Sequence, residues 1–198
     1  MTTPLMINLN RRNCLVIGGG RIAARKIRFL LKEGAKVTVI SQGLSKELGE
    51  LRPQFRYVKK AYSTENIGDV ADDLPTDCFL AVIATNQKEL NEGISGELRR
   101  KVPLINIVDN QEQSNFFFPA YLKRGLLKIA VSTSGASPIL AKKIKNQLET
   151  EFGPEYEDYM EYLMKKRKYA LENFRTEAER KEYLEGVTRL KCRGEEVE

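Results

Sequence analysis

Two rhythms of apolar and polar positions run through the first half of the chain. Short apolar runs lie at Cys14-Leu15-Val16-Ile17 and at residues 36–40, 55–58, 78–83 and 102–108. Between the first two, Ile22, Ala23, Ile27, Leu30 and Leu31 recur at a spacing of three and four. Short Val- and Ile-rich runs bounded by turn residues predict buried strands, and the longer spacing predicts an amphipathic helix. Gly34 is the expected stop of that helix. A short helix is predicted over 44–51, and a polar, acidic surface segment over 63–75. The run 78–83 is the most apolar of the chain and predicts a central parallel strand covered on both faces. Asn86 with Glu89 fits a capping box opening a helix to about residue 101. Residues 5–11 form a short extended lead-in. Strands alternating with helices predict an α/β fold with a Rossmann-type parallel sheet.

The rhythm changes after residue 109. Two strands, 115–122 and 126–132, follow each other around Arg124-Gly125 with no helix between them, which marks a new unit. Ser137 and Pro138 fit an N-cap and first helical position, opening a helix to about residue 152. Gly153-Pro154 ends it. The charged segments 155–174 and 176–191 carry apolar residues at helical spacing, with Thr176 and Glu179 as a second capping box. They predict a small helical bundle.

The first strand runs into Gly18-Gly19-Gly20-Arg21-Ile22-Ala23, which fills the G-x-G-x-x-G/A pattern. Gly18 permits the tight turn and Gly20 keeps the backbone open to a pyrophosphate. Ala23 lets the helix press on the strand. The helix, opening at Arg21 and Ile22, then points its unpaired N–H groups at the phosphates. This predicts a dinucleotide site. The second strand ends in Ser41-Gln42-Gly43, with neither the carboxylate that binds ribose hydroxyls in many NAD-binding folds nor an arginine for a 2′-phosphate. Ser41, Gln42 and Gly43 are the substitutes by position, and the missing arginine leans the reading to NAD over NADP. Thr85 and Asn86 end the central strand, where Asn86 fits either a helix cap or a cofactor contact. Asp109 ends the fifth strand, as a turn residue or a group facing the ligand crevice.

Composition narrows the chemistry. With 41% hydrophobic and 30% charged residues the chain is globular, and no apolar run is long enough to span a membrane. The N-terminus shows no signal peptide, so a cytoplasmic location is expected. Cys14, Cys78 and Cys192 form no C-x-x-C pair and predict neither zinc nor disulfides. No histidine is present, so proton transfer falls to Asp, Glu, Lys, Tyr or the substrate, and no metal ligands are assigned. The net charge of +6 comes without a nucleic-acid-binding motif, which favours a polyanionic small molecule. Tyr162 and Lys166 form a Y-x-x-x-K, as in short-chain dehydrogenases, but within the charged tail.

The ordered motifs Gly18-Gly19-Gly20-x-x-Ala23-x-Arg25-Lys26, Ala84-Thr85-Asn86, Asn106-Ile107-Val108-Asp109 and the Ser132–Pro138 turn resemble the precorrin-2 dehydrogenase family. That family includes the N-terminal module of sirohaem synthase and shorter stand-alone bacterial enzymes. The resemblance covers residues 5–150 well and the tail loosely. It implies oxidation of precorrin-2 to sirohydrochlorin with NAD, and a homodimer built largely on residues 116–147. It implies a catalytic or substrate-binding role for Asp109, with Asn106, Ser132, Thr133 and Ser134 as substrate contacts. The substrate's many carboxylates fit the positive charge, with Lys123, Arg124, Lys142 and Lys143 as candidate partners. The expected organisation is an NAD-binding domain over 1–113, a dimerisation region over 114–150 and a helical domain over 151–198. Two alternatives stay open. One is a bifunctional enzyme that also inserts ferrous iron, where the dehydrogenase-only form relies on a separate chelatase. The other is a non-enzymatic dinucleotide sensor.

Overall fold

The computed structural model describes residues 2–108 and 110–188. The chain divides into two compact units, residues 3–117 and a second unit that runs on from residue 118 and includes Thr2.

The first unit is built on five parallel strands: β1 (Asn13–Ile17), β2 (Lys36–Ser41), β3 (Arg56–Lys59), β4 (Cys78–Ile83) and β5 (Leu104–Ile107). Their order is β3-β2-β1-β4-β5, so the chain reverses direction across the sheet between β1 and β4. Helix α1 (Arg21–Lys32) buries Ala23, Ala24, Ile27 and Leu30. It ends at Gly34, whose φ of 79° is the left-handed stop that glycine provides. Helix α2 (Lys46–Glu50) leads through a 3-10 turn into β3. On the other face, α3 (Lys88–Leu98) packs Leu90, Ile94 and Leu98 into a core with Leu15, Ile17, Ile40, Ala81, Ile83, Ile105 and Ile107.

Three local expectations change. The acidic segment 63–75 is not wholly at the surface: a 3-10 turn at Ile67–Ala71 buries Val70 in the core, and Ile67 packs against it. The turn's apolar residues fill space that a second crossover helix would otherwise cover. Asn86 and Glu89 form no capping box. The N-cap of α3 is Gln87, and no side chain caps it. Residues 115–119 form no strand. Instead Asn115 and Ser114 satisfy the open edge of β5 with their side chains. Ile105 N–H donates to Asn115 Oδ1 (2.7 Å), Asn115 Nδ2 donates to Pro103 O (2.8 Å), and Ile107 N–H donates to Ser114 Oγ (2.9 Å). An edge paired by side chains presents no free ladder to another strand.

In the second unit, β6 (Ala120–Arg124) and β7 (Leu127–Val131) form an antiparallel hairpin, with Gly125 at φ 54° in its turn. Helix α4 (Pro138–Glu151) opens on Ser137, whose Oγ accepts from Leu140 N–H (3.2 Å). Helices α5 (Tyr156–Asn173) and α6 (Glu177–Val187) follow, and the Thr176–Glu179 capping box is formed. Tyr169, Phe174 and Tyr183 cluster between them. Among the described residues no helix is long and apolar enough to cross a membrane.

Candidate active site

Ligands in open α/β sheets bind outside the carboxyl ends of the strands where the strand order reverses. Here that point is the β1–β4 junction. Gly18 N–H donates to Ile40 O (2.9 Å), and Ala84 N–H donates to Ile17 O (2.8 Å). A side chain on Gly18 would strike the Ala84 carbonyl, and its φ of 123° suits glycine alone. Gly19, a variable position of the pattern, is as constrained: a Cβ there would fall on the Gly43 carbonyl and 2.8 Å from Ser41 Oγ. Pattern reading missed this, because the crowding comes from the loop after β2. A Cβ on Gly20, by contrast, meets nothing within 4 Å.

Gly20 is also the N-cap of α1, without a side-chain cap. Ala24 N–H returns to Gly20 O (3.0 Å), while the N–H groups of Arg21, Ile22 and Ala23 have no protein acceptor among the described residues. Arg21 and Ile22 are exposed, and Ala23 is buried against the sheet. An open backbone above unpaired helix N–H groups is the cradle a pyrophosphate requires, so the residues present fit a dinucleotide. One helical turn on, burial and then the charge of Arg25 lower the Lys26 ammonium to about 8.

At the end of β2, Ser41 Oγ donates to Gly43 O (2.8 Å) and Tyr57 OH donates to Ser41 O (2.9 Å). Ser41 therefore shapes the loop, and Gln42 and Gly43 are its exposed groups. Lys60, whose N–H donates to Ser41 O (3.3 Å), is held through its ammonium by Asp73 (2.7 Å) and Asp69 (3.5 Å).

After β4, the loop is organised by a residue that sequence reading passed over. Asn91 is only 5% exposed. Its Oδ1 accepts from Thr85 N–H (3.3 Å) and Thr85 Oγ1 (2.5 Å), and its Nδ2 donates to Thr85 O (3.2 Å). Asn86 is exposed, and its side chain makes no hydrogen bond among the described residues. Thr85, Asn86, Asn91, Glu92, Val108 and Asn110 line a cavity of about 180 Å³ beside this loop. On its far wall every polar group of Asn110 is engaged. Its N–H donates to Ile107 O (3.3 Å), its Nδ2 to Glu92 Oε1 (3.2 Å), its Oδ1 accepts from Gln113 N–H (3.1 Å) and its O from Ser114 Oγ (2.7 Å). Asp109 lies outside the described residues; its chain neighbours Val108 and Asn110 both line the cavity. Asn106 is buried and donates to Phe116 O (3.1 Å), so its amide nitrogen ties down the segment beyond β5.

The remaining expected contacts belong to the second unit. Ser132 Oγ accepts from Ser134 N–H (3.1 Å), Thr133 Oγ1 accepts from Ser137 N–H (3.1 Å), and the Ser134 and Thr2 hydroxyls pair at 3.3 Å. Arg124 Nε donates to Phe152 O (3.1 Å), a structural tie, whereas Lys123, Lys142 and Lys143 are exposed. Lys166 lies over the Tyr162 ring on α5, 5.1 Å from its centroid, so this pair is a helix-surface contact. Cys14 and Cys78 are buried in strands, where desolvation pushes their thiols up to about 12 and about 11. Cys192 lies outside the described residues.

Residues 5–120 match a family model described as "Putative NAD(P)-binding", and residues 124–151 match that of the sirohaem biosynthesis protein central region. The precorrin-2 dehydrogenase of Priestia megaterium is 34% identical over 161 residues, which cover 80% of this chain and 75% of that protein. The chain belongs to the precorrin-2 dehydrogenase family. The solved structure of SirC, a precorrin-2 dehydrogenase, matches with a TM-score of 0.75 at 29% identity, covering 95% of this chain and 90% of SirC. Members of the family also occur as parts of longer chains. The siroheme synthase of Nitrosomonas europaea is 34% identical over 174 residues, 86% of this chain but 35% of that protein. The chain thus spans about a third of the length of the siroheme synthases it matches.

Proposed function

We propose that this chain oxidises precorrin-2 to sirohydrochlorin in sirohaem biosynthesis, as a cytoplasmic homodimer with NAD as cofactor. The observation that carries the reading is the open Gly20 cradle together with a cavity at the β4 and β5 ends, in a chain resembling a precorrin-2 dehydrogenase across both units. When bound, NAD would supply the hydride acceptor. The N–H groups at the start of α1, including those of Arg21 and Ile22, would hold its pyrophosphate at the Gly18 and Gly20 turn, with Ala23 seating the helix. Gln42 and Gly43 would hold its ribose, with Ser41 shaping their loop, and Thr85 and Asn86 would be further cofactor contacts.

Oxidation of the macrocycle removes a hydride and a proton. Asp109, the chain neighbour of the lining residues Val108 and Asn110, takes that proton or holds the pyrrole N–H groups. Asn106 stays a candidate substrate contact through its amide oxygen. Ser132, Thr133 and Ser134 offer hydroxyl and backbone groups to the substrate's carboxylates. The exposed Lys123, Lys142 and Lys143 supply complementary charge.

Substitution of Asp109 tests the assignment. Asp109→Ala should leave NAD binding nearly intact and lower precorrin-2 oxidation on the order of 10²–10⁴-fold, the usual contribution of a general base. Asp109→Asn keeps size and hydrogen bonding without a basic carboxylate. Recovery of most of the rate by Asn assigns Asp109 to positioning. Wild-type rates in both variants would remove it from the mechanism.

A further inference from the structure

Asn91 and Glu92 are consecutive residues of α3, yet they hold two different loops. Asn91 makes three hydrogen bonds to Thr85, fixing the loop after β4 from its amide nitrogen to its carbonyl. That loop presses on the glycine turn, because the Ala84 carbonyl occupies the space a side chain on Gly18 would need. Glu92 accepts from Asn110 Nδ2 at 3.2 Å and so holds the turn after β5, where Ser114 and Gln113 fix Asn110 from the other side. Successive helix residues point about 100° apart, so one short stretch of α3 can reach both walls of one cavity.

We infer that Asn91 and Glu92 are positioning residues for separate halves of one reaction. Asn91 sets the cofactor side by fixing Thr85 and Asn86. Glu92 sets the substrate side by fixing Asn110, the chain neighbour of Asp109. The inference rests on the function proposed above. Neither residue is needed to fill the core, which α3 supplies through Leu90, Ile94 and Leu98. Asn91 is nearly buried but spends its polar atoms on Thr85, and Glu92 is partly exposed.

The two roles separate in a paired experiment on the full chain. NAD affinity is measured by calorimetry without substrate, and kcat is measured with precorrin-2 at saturating NAD. Asn91→Ala should raise the NAD dissociation constant at least about tenfold, about 1.4 kcal/mol. Glu92→Ala should leave that constant within about twofold and lower kcat at least about tenfold. Glu92→Gln keeps an oxygen to accept from Asn110 and should recover most of that kcat. Thermal melts of each variant identify misfolding. If Asn91→Ala fails to fold, Thr85→Val removes one of the same hydrogen bonds and should weaken NAD binding in the same direction.

Equal loss of NAD affinity and kcat in both alanine variants would overturn the separation and leave α3 a plain scaffold. Wild-type values in both would remove the roles altogether. A wild-type protein that binds NAD without oxidising precorrin-2 would sink the proposed function and the Glu92 half with it. The dissociation constants would still decide the Asn91 half.

Discussion

At the scale of single residues, the three glycines after β1 have three different duties. Gly18 is required by its backbone angle and by the Ala84 carbonyl, and Gly19 by the loop after β2, while Gly20 meets no protein constraint and is left to the proposed cofactor. Gly19→Ala should therefore destabilise the fold by about 1–3 kcal/mol, the usual range for overpacking, and lower the melting temperature. Gly20→Asp should do the reverse. An aspartate caps a helix well, so stability should hold or rise. Its carboxylate would meet the pyrophosphate, and the NAD dissociation constant should rise at least about tenfold. Melting curves with NAD titrations check both. The G-x-G-x-x-A reading anticipates the tight turn at Gly18 and the buried helix start at Ala23, because each has a local backbone reason. Gly19 and Asn91 were illegible, because their constraints come from Gly43 and Thr85, across the strand ends.

At the scale of elements, the alternating strands and helices were legible, since each buries an apolar face with its own period. The edges were not. Residues 115–119 read as strand because Phe116, Phe117 and Phe118 are apolar, yet Asn115 and Ser114 pair with β5 through side chains. Asn115→Ala should leave the buried Ile105 N–H without its partner, costing about 1–3 kcal/mol, whereas the exposed Pro103 O can turn to water. Chemical denaturation of the two proteins measures it. The strand cysteines give a pH dependence. Their thiols lie above the ordinary value in the folded chain, so the folded state keeps protons that the unfolded state loses. Their contribution to stability should be constant below about pH 9 and fall as pH rises towards 12. Replacing Cys14 and Cys78 by alanine should flatten that alkaline slope, whatever it does to the neutral value.

At the scale of the whole molecule, the second unit exposes Leu126 by 57%, Ile139 by 72% and Leu140 by 49%. Apolar side chains exposed together on a small unit mark an interaction surface, and a symmetric second copy is the simplest occupant. Sedimentation at micromolar concentration should give a dimer, and Ile139→Asp should shift it towards monomer. A wild-type monomer would contradict the homodimer. The hairpin and α4 were legible from turn and cap residues. The apolar run through residues 126–131 was legible as a surface in need of a partner, while Ile139 and Leu140 on α4 were not, because periodicity shows which face is apolar but not whether the same chain covers it.

The proposed function requires the Gly20 cradle and the cavity beside Thr85 and Asn110 to serve one oxidation. Anaerobic incubation of the wild-type protein with precorrin-2 and NAD tests it most directly, following reduced cofactor and macrocycle spectra together, with and without ferrous ion. Sirohydrochlorin should appear in step with NADH, at a rate that ferrous ion does not change. A folded protein that binds NAD and forms neither product would contradict it.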